Sequence, residues 1–264
     1  MNIKKYVLPL CLLFAIFILS ACTANSSAQN DVLFQSPNVT VMQVEEAATP
    51  NRVYYEWTPL TQESAYRKNT VILTGTAENV RPAVVKYRYM DTDVSDQITI
   101  FDVKIKNVLA CHTDTFPDVP TITLGVGYNQ NVYSEELPMI TEGTDYLLFC
   151  YLTADQTDSP LELSAYVDGW ISAPNALLCE KVGNAYLTND FFEDVPGACS
   201  LAEANSGVQT NADAEEAVLT LNTRAASSVE ALDALAKNYY LIDASTLEAF
   251  VSANANDTFA GKES

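Results

Sequence analysis

A mainly β fold of the α+β kind, with a short helix before the strands and short helices after them, is what this chain predicts, on three observations. Apolar and charged residues alternate in Val85–Tyr89 and again in Phe101–Lys106, the period of half-buried strands. The run Tyr146–Leu152 (YLLFCYL) is apolar at every position, as in a strand covered on both faces. The last part of the chain changes to helical spacing, behind Ser227 with Glu230 and Ser245 with Glu248, both S-x-x-E capping boxes.

The first element is not part of that fold. Lys4 and Lys5 form a basic start, Val7 to Leu19 an apolar run, and Ser20 and Ala21 a small-residue end, which together read as an export signal. The run is shorter than the roughly 20 residues a spanning helix needs, and Pro9 interrupts it. The end of the segment, Leu19-Ser20-Ala21-Cys22, resembles the lipobox of bacterial lipoproteins: an aliphatic residue, two small residues and cysteine. The resemblance implies that residues 1–21 are removed and that Cys22 carries a diacylglycerol thioether. It places the protein, lipid-anchored, on the extracytoplasmic side of a bacterial cell membrane. The plainer alternative is an ordinary secretory signal with a cysteine near its cleavage site. Two acyl chains suffice for stable attachment, each buried methylene contributing about 0.8 kcal/mol.

Charge narrows the partners. The chain has 14 Lys+Arg against 34 Asp+Glu, a net −20, and loss of Lys4 and Lys5 takes the mature protein to −22. Phosphate backbones need a cationic surface, so nucleic acid is excluded as a partner. The imbalance is uneven. Residues 51–107 carry eight basic and seven acidic side chains, whereas residues 108–200 carry Lys181 against fourteen acids. The acidic part suits solubility and repulsion from an anionic envelope, or attraction of a cationic partner.

After the anchor, residues 22–50 are poor in large apolar side chains and read as a flexible tether. Thr58-Pro59 predicts a helix start running through LTQESAYRKN. Val71–Val80 predicts a strand with a bulge or bend at Gly75. Val85, Tyr87 and Tyr89 predict a second strand, Asp91–Asp96 a polar hairpin tip, and Phe101, Val103 and Ile105 the apolar face of the returning strand. Ile98 and Ile100 are out of phase with that face, which predicts a bulge or sharp coil near Ile100. Thr121–Val126, Tyr146–Leu152, Leu161–Val167 before an Asp168-Gly169 turn, and Ala185–Leu187 after Gly183-Asn184 complete the strands. Residues 200–211 read as a linker. Beyond it are two helices, with apolar stripes Val229, Leu232, Leu235, Ala236 and Leu247, Phe250, Val251, and the chain is expected to fray beyond about Ala253.

The succession of a helix, VILTGTAE, a long strand ending in VLAC, TITLGVG and EGTDYLLFCYL is similar to uncharacterised bacterial lipoproteins with a small, partly open β-barrel of the OB or netrin-like type. It implies a domain over residues 51–199 in which bulged, coiled strands close a five-stranded sheet, and a linker and helical segment over 200–264. The netrin-like relatives that inhibit metalloproteinases use a free N-terminal cysteine. A lipidated Cys22 on a tether supplies no such group.

Chemistry is sparse. Cys111, Cys150, Cys179 and Cys199 permit two disulfides in any of three pairings in an exported protein, or four separate thiols. His112, the only histidine, adjoins Cys111, but neighbours on a strand point to opposite faces. Asp91, Asp93 and Asp96 lack the glycine and glutamate of a calcium loop. Tyr87-Arg88-Tyr89 mimics a nucleic-acid platform over three residues only. No catalytic, cofactor or metal residue is therefore assigned. The expected function is an envelope-anchored, non-enzymatic binding or structural module whose partners are the membrane, through Cys22, and an envelope protein or a cationic ligand. The alternatives are a solute-binding lipoprotein of a transporter, which usually needs two α/β lobes, and an extracytoplasmic hydrolase with paired carboxylates such as Glu135 and Glu142.

Overall fold

The computed structural model describes residues 31–45, 51–52, 60–68, 71–89, 91–128, 132–133, 138–155, 162–206, 212–224 and 236–260. In chain order the elements are β1 (Val32–Gln35), β2 (Val39–Gln43), β3 (Asn51–Arg52), α1 (Gln62–Lys68), β4 (Val71–Tyr89), β5 (Thr92–Cys111), β6 (Thr121–Val126), β7 (Val132–Tyr133), β8 (Asp145–Leu152), β9 (Gly169–Ile171), α2 (Pro174–Leu177), β10 (Leu178–Val182), β11 (Ala185–Asn189), β12 (Cys199–Ser200), α3 (Leu201–Ser206), α4 (Ala212–Arg224), β13 (Tyr239–Asp243) and α5 (Ala244–Ala260). The mainly β expectation holds. Eleven strands form one sheet in the order β1-β2-β4-β5-β6-β9-β8-β10-β11-β13-β12, and β3 and β7 pair in parallel apart from it.

β8 also pairs with β4, so the ladder β4–β5–β6–β9–β8 returns to the strand from which it starts. The YLLFCYL pattern explains why β8 sits there. Tyr146, Leu148, Cys150 and Leu152 enter one core with Val71, Leu73, Phe101, Val103, Ile122 and Leu124. Leu147 and Phe149 enter a second core on the other face, with Tyr66 of α1, Leu177 of α2, and Leu247 and Val251 of α5. Each large apolar side chain so buried contributes about 1.5–3 kcal/mol.

The phase break near Ile100 is real, but its cause differs from the expectation. Glu78 pairs with Asp102 and Arg81 with Ile100, so the extra residue lies in β4, at Asn79-Val80 opposite Phe101. Asn79 has φ 50°, a left-handed conformation that asparagine tolerates. β5 itself continues in even register along β6. Ile98 and Ile100 point to a third core with Val39, Val41, Ala83 and Val85, while Phe101 and Val103 point to the first. Both faces of β5 are covered where the phases meet, so neither set is turned to water. Two further bulges lie in β5, opposite the steps Ile72–Leu73 and Thr74–Gly75 of β4. Gly75 sits at one of them for lack of space: a Cβ there would lie 2.5 Å from Val103 Cγ1.

Several boundaries move. Residues 32–43, expected within the tether, are two strands of the sheet, with Val39 and Val41 buried against Val85 and Ile98. Their own alternation, VTVMQ, carries that signal. In α1, Thr61 and Ser64 exchange backbone and hydroxyl hydrogen bonds as the cap, so the helix starts after Thr61; Thr58 and Pro59 lie outside the described residues. Val71–Val80 and Val85–Tyr89 are one 19-residue strand. The polar tip shrinks, because Tyr89 pairs with Thr92 and Asp91, at φ 67°, belongs to the turn.

Within Leu161–Val167, Glu162–Ala165 is a 3-10 turn rather than a strand, because Leu163 and Val167 are buried one helical turn apart and the Val167 N–H donates to the Leu163 carbonyl. Asp168-Gly169 is a strand entry, not a hairpin turn: Asp168 Oδ2 accepts the Thr123 N–H at 2.7 Å. The Gly183-Asn184 turn joins β10 to β11 as expected, with Gly183 at φ 55°.

Within the linker expected over residues 200–211, Ser200 belongs to β12 and Leu201–Ser206 form α3, while residues 207–211 lie outside the described residues; α4 follows as a helix the sequence reading did not place. Ser200 accepts the Glu203 N–H and donates to its carboxylate, an S-x-x-E box the spacing already held. The stripe from Val229 to Leu235 lies outside the described residues; Ala236 is buried. In α5 the cap is Asp243, which accepts the Thr246 N–H, and Glu248 instead accepts the Tyr186 hydroxyl proton. α5 runs on to Ala260, with Ala255 fully buried, so the chain does not fray at Ala253.

Gly125 of β6 faces Trp170, whose ring carbon Cζ3 would lie 2.5 Å from an added Cβ. Gly125→Ala is expected to lower stability by about 1–3 kcal/mol by displacing that ring. Denaturant unfolding checks it, and a midpoint equal to that of the unchanged protein would show that the ring moves without cost.

Candidate functional site

The strongest site residue of the sequence, Cys22, lies outside the described residues, as do Glu135 and the signal segment. The structure does define where the chain after Cys22 enters the sheet. Val32 opens the edge strand β1, and nine residues separate it from Cys22. The β1–β2 pair is attached to the upper half of β4, through Val39–Tyr87 to Gln43–Ala83. No helix among the described residues is long and apolar enough to cross a membrane.

The four cysteines are free thiols. Cys111 and Cys150 flank Val71 from its two neighbouring strands, two inter-strand spacings or roughly 9–10 Å apart. A disulfide tolerates about 7 Å between Cα atoms. Cys179 belongs to the second core while Cys150 belongs to the first, on opposite faces of the sheet. Cys199 on β12 is separated from β10, the strand of Cys179, by β13 and β11. Of the two alternatives the sequence left open, two disulfides or four separate thiols, the geometry has the separate thiols. Even parity of cysteines in a sequence carries no information about distance. Burial pushes the Cys150 thiol up to about 12, with the nearby Cys111 adding to it, and raises Cys179 too. Both thiols act as small apolar side chains.

His112 comes directly after the end of β5, and partial burial holds its pKa below the ordinary imidazole value. Cys111 Sγ donates to the Thr113 carbonyl at 3.4 Å, so the adjacent residues do not make a thiol–imidazole pair through that proton. Thr113 and Thr115 both donate to Asp155 Oδ1, at 2.9 and 2.7 Å, which ties the loop after β5 to the turn after β8.

The other carboxylates have structural tasks. Asp102 accepts from Asn79 Nδ2 at 2.8 Å, Arg81 at 3.0 Å and the Thr123 hydroxyl at 2.9 Å, and so holds the β4 bulge against β6. Tyr87 donates to Asp96 at 2.8 Å and Arg88 faces Asp91 at 3.5 Å, which occupies two of the three tip aspartates with neighbours of their own hairpin. Asp145 accepts from Lys106 at 2.5 Å and from Thr76 at 2.7 Å. Its burial would raise its pKa, but the hydrogen bonds and the charges of Lys106 and Lys181 outweigh that and hold it below the usual carboxylate range. Glu142 is exposed in the turn before β8. Among the described residues no three His, Cys, Asp or Glu side chains are gathered so as to hold a metal ion. No protein-family model and no curated protein sequence matches the chain.

One buried polar group stands out. The Tyr66 hydroxyl lies in the second core with no hydrogen-bond partner among the described residues, and its ring packs on Phe149 at 5.6 Å. Burial, and then Cys179, raise its pKa. Removing an unpaired buried hydroxyl relieves a desolvation cost, so Tyr66→Phe is expected to stabilise the protein by about 1 kcal/mol, measured by thermal or denaturant unfolding. A loss of stability would show that the hydroxyl is satisfied in solution.

The free thiols give a second test. In the native state Cys111, which is exposed, is expected to react with a maleimide, and Cys150 and Cys179 only after unfolding. Mass mapping without reductant is expected to find no linked peptides among the four, and any linked pair would contradict the placement.

Proposed function

We propose that this protein is an envelope lipoprotein, anchored by a lipid on Cys22 at the extracytoplasmic side of a bacterial membrane. Its folded part serves there as a non-enzymatic binding or structural module. The single observation carrying the reading is the lipobox-like Leu19-Ser20-Ala21-Cys22 at the end of the Val7–Leu19 run, behind Lys4 and Lys5.

For the folded part we read the recurrent ladder β4–β5–β6–β9–β8 as the small OB-like barrel expected from the sequence. Three features support that reading. There are five strands, β6 and β9 run parallel while the other pairs run antiparallel, and the long strands β4 and β5 carry three bulges that coil them. Val71, Leu73, Phe101, Val103, Leu124, Tyr146 and Leu148 fill the face this ladder encloses, so recognition falls to outer surfaces and loops. An envelope protein or a cationic ligand suits the acidic stretch of residues 108–200.

Metabolic labelling with palmitate tests the anchor. The expected outcome is incorporation into the wild-type protein and none into Cys22→Ala, with the variant released from the membrane fraction. Labelling that persists in the variant would falsify the assignment.

A further inference from the structure

We propose that the outer face of the β1–β2–β4–β5 arm rests on the lipid surface to which Cys22 is attached. This rests on the lipid-anchor reading and adds to it which face of the domain meets the bilayer.

The length of the connecting chain is the first argument. With residues 32–43 in the sheet, nine residues remain between Cys22 and Val32, so a fully extended chain spans about 35 Å. The domain is thus held within a short distance of the bilayer, and by the edge of this arm.

Side-chain chemistry on the arm is the second. Cross-strand neighbours share a face, and Val32 lies opposite Met42, Met42 opposite Val84, and Val84 opposite Gln97. The next row is Thr40, Lys86 and Ser95. The other side of these strands is closed by Val39, Val41, Ala83, Val85 and Ile98 packed on Leu163 and Val167. The outer side therefore presents an apolar row with Val32 55% exposed, beside the exposed Lys86; Arg88, farther along the same face, faces Asp91 and lies opposite Asp93. Valine, methionine and valine on a sheet face suit the boundary between headgroups and acyl chains, with the Lys86 ammonium at phosphate level.

Charge is the third. Strands β1 and β2 and the residues joining them contain no charged side chain, and residues 82–99 hold two basic against three acidic ones. The rest of the mature chain carries nearly all of the −22. An anionic bilayer repels the acidic part within a Debye length of about 8 Å, and this arm is the nearly neutral side that can approach it.

Hydrogen–deuterium exchange tests the proposal on the mature lipidated protein. The protein is bound to vesicles of phosphatidylcholine with one third phosphatidylglycerol and compared with Cys22→Ala in solution. The expected result is exchange slowed several-fold in residues 32–43 and 84–97, with α4 unchanged. The double variant Val32→Asp, Val84→Asp is expected to float with the vesicles, its anchor intact, and to lose that protection; its far-ultraviolet circular dichroism checks that it folds. Flotation of the wild type without protection of these strands overturns the proposal alone. Failure to float, together with absent palmitate label, overturns the anchor reading and the proposal with it. Protection that grows with protein-to-lipid ratio assigns the face to a second copy of the chain and overturns the lipid assignment.

Discussion

The structure depends on one strand having no free side. β8 pairs with β4 along one edge, while its other edge is shared between β10 at Tyr146–Leu148 and β9 at Cys150–Leu152. Its two faces feed two different cores. This strand therefore returns the ladder to β4, and it also starts the extension through β10, β11, β13 and β12. A polar residue on either face would be buried without a partner, at a cost of about 1–3 kcal/mol for an uncompensated group. That constraint is why the run from Tyr146 to Leu152 contains no charge.

β4 and β5 solve the complementary problem of serving different cores along their lengths. In β4 the extra residue at Asn79-Val80 reverses which side chains face which way, so Val71, Leu73 and Ala77 join one core and Ala83 and Val85 another. In β5 the reversal needs no insertion, because the strand is covered on both faces between Ile98 and Phe101. Asp102, with three donors, holds the bulge in place from the side away from the first core. The bulged pair thereby extends past the closed ladder as an arm, and the arm receives β1 and β2.

The same economy of polar groups bears on function. The cysteines act as packing residues or lie singly at the surface, and the carboxylates of Asp96, Asp102, Asp145 and Asp155 hold loops and strands together. Little of the acidic and thiol chemistry is left to form a reactive cluster among the described residues. What distinguishes the described residues is then their surfaces: a nearly neutral arm and an acidic stretch after residue 107.

By itself the sequence determined which residues are strand formers, which faces are apolar, the Gly75 bulge, the Gly183-Asn184 turn, the two-sided burial of β8 and the buried stripe of Leu247 and Val251. It also held Lys4, Lys5 and the apolar run Val7–Leu19, which resemble an export signal, and Leu19-Ser20-Ala21-Cys22, which resembles a lipobox. These are local signals, spacings of two or 3.6 residues and single small residues, and they survive in any context. The tertiary structure decided what those patterns pair with. It turned VTVMQ from tether into a sheet strand, because Val39 and Val41 find Val85 and Ile98 more than forty positions away. It set Leu163 in the 3-10 turn Glu162–Ala165, with Val167 buried just beyond it, where a strand was expected, and it kept Cys111 from Cys150 by placing β4 between them. Pairing, register and distance depend on contacts far apart in the chain, and a side chain's local period says which way it points without saying what it meets.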